Sequence, residues 1–187
     1  MTLIPTFEIG VWNAWIFMAY LLLSMVPMMY VGTKKRLPSV EELRLSRVAK
    51  VFATSSKLLL LPAMVYSIFL PMKLGTAWFY AGLPITLIGL IAYTIVLVNW
   101  ATSSLDSQVS GGLYRYSRHP MYVGMFIFFL GLSIITASWV LLLFFIVFVV
   151  GCVVYINDEE ESCLKKYGEA YRDYMNKTPR WIGIPKY

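Results

Sequence analysis

The chain has 187 residues, of which 59% are hydrophobic and only 14% charged, and its net charge is +6. A water-soluble domain of this length has too little interior to hide so much apolar surface, so the excess calls for a lipid-facing exterior. Basic charge on so apolar a chain fits a membrane surface rather than nucleic acid. The two cysteines, Cys152 and Cys163, have no metal-like spacing, which argues against a disulfide framework or a metal site.

In chain order, the first apolar segment covers residues 9–31, long enough to cross a hydrocarbon core of about 30 Å. No basic n-region or small-residue cleavage site precedes it, so it is expected to be retained as a span rather than removed as a signal peptide. A second, shorter segment covers residues 55–71. A third covers residues 78–98, with Trp78 and Trp100 placed as interfacial anchors. Residues 121–156 then run without one charge. As a single helix they would be about 54 Å long, far more than one crossing. Thr136-Ala137-Ser138 is their least apolar point, and two helices folded there as a tight hairpin are predicted. One tilted, protruding helix is the alternative.

Five segments place the termini on opposite sides of the bilayer. Of the sixteen Lys and Arg residues, fifteen fall in the 32–57 loop, the 99–120 stretch or the tail after Ile156, and only Lys73 falls on the other side. The positive-inside rule then sets the N-terminus outside and the C-terminus in the cytoplasm. In the first basic loop, Ser39-Val40-Glu41-Glu42 fits a capping box, with Leu45, Val48 and Phe52 on one helical face. That face suits either anionic lipid or packing on the tail. No Gly or Pro interrupts the chain between Trp139 and Tyr167, so the fifth helix is expected to run past the lipid into Asp158-Glu159-Glu160-Glu161 and to break at Gly168. Cys163, Leu164, Tyr167, Tyr171, Tyr174 and Met175 recur at helical spacing, which predicts a docked amphipathic tail.

No span carries Asp, Glu, Lys, Arg or His in its interior, where pumps, ion-coupled transporters and voltage sensors need such residues. The chemistry is therefore expected at the cytoplasmic rim. The hairpin brings residues 111–122 beside Asp158 to Glu161. Pro120 suits a first helical turn, His119 the position before it, and the N–H groups of Met121 and Tyr122 then favour an anion. Read alone, Arg115 and Arg118 also fit positive-inside anchors, and the acidic run also fits a solvated helix face.

The stretch GLYRYSRHPMYVG, with DEEESCLKKYGEAYRDYM and TPRWIGIP after it, resembles the isoprenylcysteine carboxyl methyltransferase family, whose wider kin include membrane phospholipid N-methyltransferases. The likeness covers about half the chain, from Asn99 onward. It implies S-adenosylmethionine as methyl donor, leaving as S-adenosylhomocysteine. By motif position it implies a cofactor site lined by Tyr114, His119, Pro120, Met121, Tyr122 and Glu159. Arg118 and Glu160 are implied as bracing or catalytic groups. By position, Asn99, Asp106, Ser107, Gln108 and Val109 are implied as the other wall. The family pattern has an arginine four residues before the glutamate, serving the acceptor's carboxylate. Tyr155 stands there instead, as a substrate-side residue, so the holding role passes to Arg118, Arg172 or Arg180.

The expectation is an all-α integral membrane protein of five spans. Residues 1–98 form three spans with a basic loop, and residues 99–187 form the methyltransferase core with its hairpin and tail. The expected acceptor is the C-terminal carboxylate of a prenylated cysteine or a similar lipid-thiol substrate. N-methylation of an aminophospholipid is the rival reaction, and a non-catalytic membrane scaffold the rival of another class. The expected partners are the bilayer and a lipidated substrate, without nucleic acid or metal.

Overall fold

The computed structural model describes residues 8–34, 47, 51, 61–103 and 109–186. Helix α1 covers Trp15–Lys34 and contains Pro27. Residues 61–68 are helical and are called α2. Helix α3 covers Ala77–Thr102, α4 Pro120–Ile135, α5 Trp139–Tyr167 and α6 Glu169–Lys177, with a short 3₁₀ turn at Gly112–Arg115. The only β-pairing among the described residues is an isolated bridge between Asn13 and Pro71. The amphipathic helix expected around Ser39 to Phe52 lies outside the described residues, apart from Arg47 and Val51.

The helix boundaries follow from local chemistry. Thr76 caps α3 by accepting a hydrogen bond from Phe79 N, and Ser138 caps α5 by accepting one from Leu141 N at 3.2 Å. Each cap satisfies an N–H that has no partner inside its helix. Pro120 opens α4, where a missing N–H costs nothing. Gly168 ends α5 at φ 58, a conformation that suits a residue without Cβ. The apolar run of 121–156 is thus broken at Thr136 to Ser138, as the hairpin reading requires, and the single long helix is excluded.

Two described helices are long and apolar enough to cross a membrane, Ala77–Thr102 and Trp139–Tyr167. Helix α4 has 16 residues, about 24 Å at 1.5 Å per residue. It packs antiparallel on α3 through small residues. A Cβ on Gly89 would lie 2.2 Å from Phe128 N, and one on Gly131 would lie 2.4 Å from Thr86 N. Lipid tails are as apolar as leucine, so close backbone approach and dispersion hold such helices together. Helix α1 joins this pair through Tyr20 Oη and Thr94 Oγ1 at 2.7 Å and Ser24 Oγ and Tyr93 Oη at 3.2 Å.

The ends of the helices collect into two polar zones. At one, Lys73 N donates to Ile135 O, and Asn13 Nδ2 donates to Ile68 O at 2.7 Å. At the other, the C-terminus of α3, the start of α4, the end of α5 and the tail meet. Tyr114, Arg118, His119, Tyr122, Glu159 and Glu160, singled out in the sequence, lie on this second side.

Candidate active site

Two consecutive glutamates on α5 point in different directions because a helix turns about 100° per residue. Glu160 is 3% exposed, whereas the Glu159 side chain is 36% exposed. Glu160 faces inward and Glu159 the more exposed side, and their partners differ accordingly.

Glu160 Oε1 lies 3.0 Å from His119 Nε2 and 3.3 Å from Arg118 Nε. The Arg118 contact is an ion pair without hydrogen-bond alignment. Glu160 Oε2 accepts from Arg180, whose other guanidinium nitrogen donates to Asn157 Oδ1 at 3.0 Å. Burial alone would penalise this carboxylate heavily, and two guanidinium groups and an imidazole compensate. Glu159 has lighter partners. Tyr122 Oη donates to its Oε2 at 3.2 Å, and His119 Nδ1 lies 3.9 Å from the same oxygen.

The tail closes this cluster through the backbone. Arg118 N donates to Pro179 O at 3.0 Å and Gly183 N to Tyr116 O at 3.0 Å. Ser117 Oγ accepts from His119 N at 3.1 Å and donates to Arg180 O at 3.3 Å. Tyr174 Oη on α6 donates to Tyr114 O at 2.8 Å. Burial pushes the phenols of Tyr114 and Tyr174 above their ordinary range, and the charge of Glu159 adds to the effect at Tyr114. Both stay neutral hydrogen-bond donors.

Arg118, His119, Tyr122, Glu159 and Glu160 therefore meet in one place, 37 to 42 residues apart across the hairpin. Pro120 is buried, and Met121 packs on the core from the same turn. Tyr155 sits one helical turn before Glu159 on the same face of α5. Asn99 ends up beside the glycine pair: a Cβ on Gly112 would lie 2.0 Å from its Nδ2. That nitrogen is buried and has no hydrogen-bond partner among the described residues. Val109 is half-buried, and Asp106, Ser107 and Gln108 lie outside the described residues. Arg172 is turned away, exposed and 3.4 Å from Glu169, so of the three arginines offered for a holding role only Arg118 and Arg180 reach the cluster.

Three participants escaped the reading of motifs. Asn157 and Ser117 bind Arg180. Trp181 puts its ring 6.5 Å from that of His119 and 5.7 Å from that of Phe126. The segment TPRWIGIP has no helical or strand period, so no pattern in it tells which side chain turns inward. Pro179 and the paired backbone atoms decide that only after α6 has docked.

The model of the phospholipid methyltransferase family matches residues 74–170, just over half of the chain, from the start of α3 to that of α6. A protein-S-isoprenylcysteine O-methyltransferase of Schizosaccharomyces pombe is 38% identical over 78 residues, covering 41% of this chain and 32% of that protein. The enzyme of the same name from Dictyostelium discoideum is 33% identical over 85 residues, with the same coverage of 41% and 32%. A methanethiol S-methyltransferase of Crocosphaera subtropica is 36% identical over 69 residues, 37% of this chain and 26% of that one. The matched stretch thus spans about a third or less of each relative's length. Because the matched 74–170 region holds α3, the α4–α5 hairpin and both glutamates, the chain belongs to the phospholipid methyltransferase family.

Proposed function

We propose that the chain is a five-span membrane methyltransferase that uses S-adenosylmethionine at the cytoplasmic rim and methylates the carboxylate of a prenylated cysteine or a similar lipid-borne acceptor. The observation that carries this reading is the division of labour between the two glutamates. Glu160 is tied up by Arg118, His119 and Arg180, while Glu159 keeps an open face beside aromatic rings.

The residues suit such a cofactor. When bound, S-adenosylmethionine supplies a methyl group on a sulfonium, ready for in-line displacement. Glu159 can accept from an ammonium or a ribose hydroxyl. The first N–H groups of α4, at Met121 and Tyr122, suit a carboxylate, and Asn99 Nδ2, without a partner among the described residues, offers a further donor. The rings of Tyr114 and Tyr122 can lie against a flat base or a cationic sulfur. Among the described residues no group of three or more His, Cys, Asp and Glu could hold a metal ion.

For the acceptor, a terminal carboxylate is ionised at neutral pH, its pKa being about 3.3–3.7, and needs alignment and desolvation rather than a base. Two of the three relatives carry that chemistry in their names. The lipid chain would lie in the bilayer beside α4 and α5, so that donor and acceptor arrive from different solvents and meet at the rim.

The test is transfer of a labelled methyl group to a panel of farnesylcysteine, phosphatidylethanolamine and small thiols, in detergent or nanodiscs. Methylation of farnesylcysteine is expected. Methylation of phosphatidylethanolamine alone would replace the acceptor, and no binding of the cofactor or its demethylated product would sink the enzyme reading.

A further inference from the structure

We propose that Arg180, from the C-terminal tail, is a positioning residue that acts through Glu160 to fix the tautomer of His119, so that Nδ1 meets the site as a hydrogen-bond acceptor. The inference deepens the reading of this site as a methyltransferase centre, but its geometry stands apart from any reaction.

Glu160 Oε2 is held by Arg180 and its Oε1 faces Arg118 Nε at 3.3 Å, so the carboxylate is ionised and offers lone pairs only. The bond of 3.0 Å between Glu160 Oε1 and His119 Nε2 must then use a proton on the histidine. A neutral imidazole with its proton on Nε2 has its lone pair on Nδ1. That nitrogen is turned toward Glu159, 3.9 Å from Oε2 and too far for a direct bond. Tyr122, whose ring centroid is 5.9 Å from that of His119, spends its proton on Glu159. Trp181 flanks the imidazole on the tail side. The two acceptors, Nδ1 and Glu159 Oε2, thus converge on one gap. The ligand group that enters it carries a proton, such as an ammonium or hydroxyl, and is not a carboxylate.

Arg180 is suited to this role because its placement does not depend on its own side chain. The backbone bonds from Arg118 N to Pro179 O and from Gly183 N to Tyr116 O, with the Ser117 hydroxyl donating to Arg180 O, hold the tail down. The side chain is 40% exposed, so truncating it opens no large cavity. It bridges Asn157 and Glu160 with two different nitrogens, a fork that a lysine cannot reproduce.

His119 is the chain's only histidine. With any affinity tag removed, ¹⁵N spectra of histidine-labelled protein in detergent therefore report this ring alone. In the parent, at a pH where the ring is neutral, the proton is expected on Nε2 with Nδ1 bare. In Arg180→Ala, Glu160 loses its anchor and both tautomers should appear, with Arg180→Lys in between and Asn157→Ala showing a weaker form of the same change. Gel filtration and helical circular dichroism show that each variant is folded. A parent spectrum with the proton on Nδ1, or an Arg180→Ala spectrum like the parent's, overturns the proposal. Should Arg180→Ala fail to fold, Arg180→Lys and Asn157→Ala decide by the same criterion. The expected tautomer in a protein that methylates nothing would overturn the proposed function and leave this inference standing.

Discussion

Glu159 and Glu160 are neighbours in sequence with opposite duties, and substitution should separate them. Glu160→Ala strips the compensating charge from Arg118, whose side chain is only 10% exposed. Breaking a buried ion pair from one side costs about 3–5 kcal/mol, so the variant should unfold earlier in a detergent melt. Glu159→Gln alters a side chain that is partly open to solvent. Its melt should stay close to the parent's, while calorimetry with S-adenosylhomocysteine should show affinity falling about ten- to a hundredfold, the worth of one charge-assisted hydrogen bond. Equal effects of the two variants on stability would refute the division of labour between them.

Among the elements, the α3–α4 contact is the most demanding. Gly89→Ala would push a methyl into Phe128 N, and overpacking of this kind costs about 3 kcal/mol, the upper end of its usual range. Gly111→Ala is the matched control, because nothing lies within 4 Å of its added carbon. Thermal melts of the pair should differ by about 6–12 °C, since 1 kcal/mol moves the midpoint by about 2–4 °C at this size; coincident curves would mean that the helices are not so close. The hairpin turn makes another demand. Ala137 is buried at φ 49, a region that costs a non-glycine residue about 1–2 kcal/mol. Ala137→Gly relieves that strain while losing a buried methyl worth about 0.8 kcal/mol, so it should be close to neutral. Ala137→Val, branched at Cβ in the same conformation, should be clearly destabilising by the same melt.

For the whole molecule, the structure gathers the helix ends into two polar zones, and the positive-inside rule applied to their charge is the ground for the proposed orientation. Lys73 belongs to one zone and Lys165 to the other. In a background lacking Cys152 and Cys163, a cysteine replacing Lys73 should react with an impermeant reagent on intact cells. A cysteine replacing Lys165 should react only after permeabilisation. The reverse pattern would invert the topology and move the rim site to the other face. The same long apolar exterior accounts for the large hydrophobic side chains left exposed, Leu143 and Ile91 among them at 61% and 58%, since in lipid such exposure carries no penalty.

Hydrophobic run length, cap residues and glycine placement are local properties, so α3, the α4–α5 break at Thr136 to Ser138, the start of α4 at Pro120 and the end of α5 at Gly168 were all legible from the sequence alone. The meeting of Arg118, His119 and Tyr122 with Glu159 and Glu160 followed too, because a tight hairpin must bring its two ends together. Which glutamate turns inward was not legible. Adjacent residues on a helix share the same composition and neighbourhood, and only the packing angle of α5 against α4 and the tail decides which of them loses its water. Arg180, Asn157 and Trp181 depend even more on tertiary structure. The tail segment that holds Arg180 and Trp181 has no period of its own, and its place is set by hydrogen bonds to residues 116–118, more than sixty positions earlier; Asn157, on α5, gains its partner only when that segment docks. Local sequence carries local propensity, whereas a side chain's partner across such a distance is fixed only when the elements between them have packed.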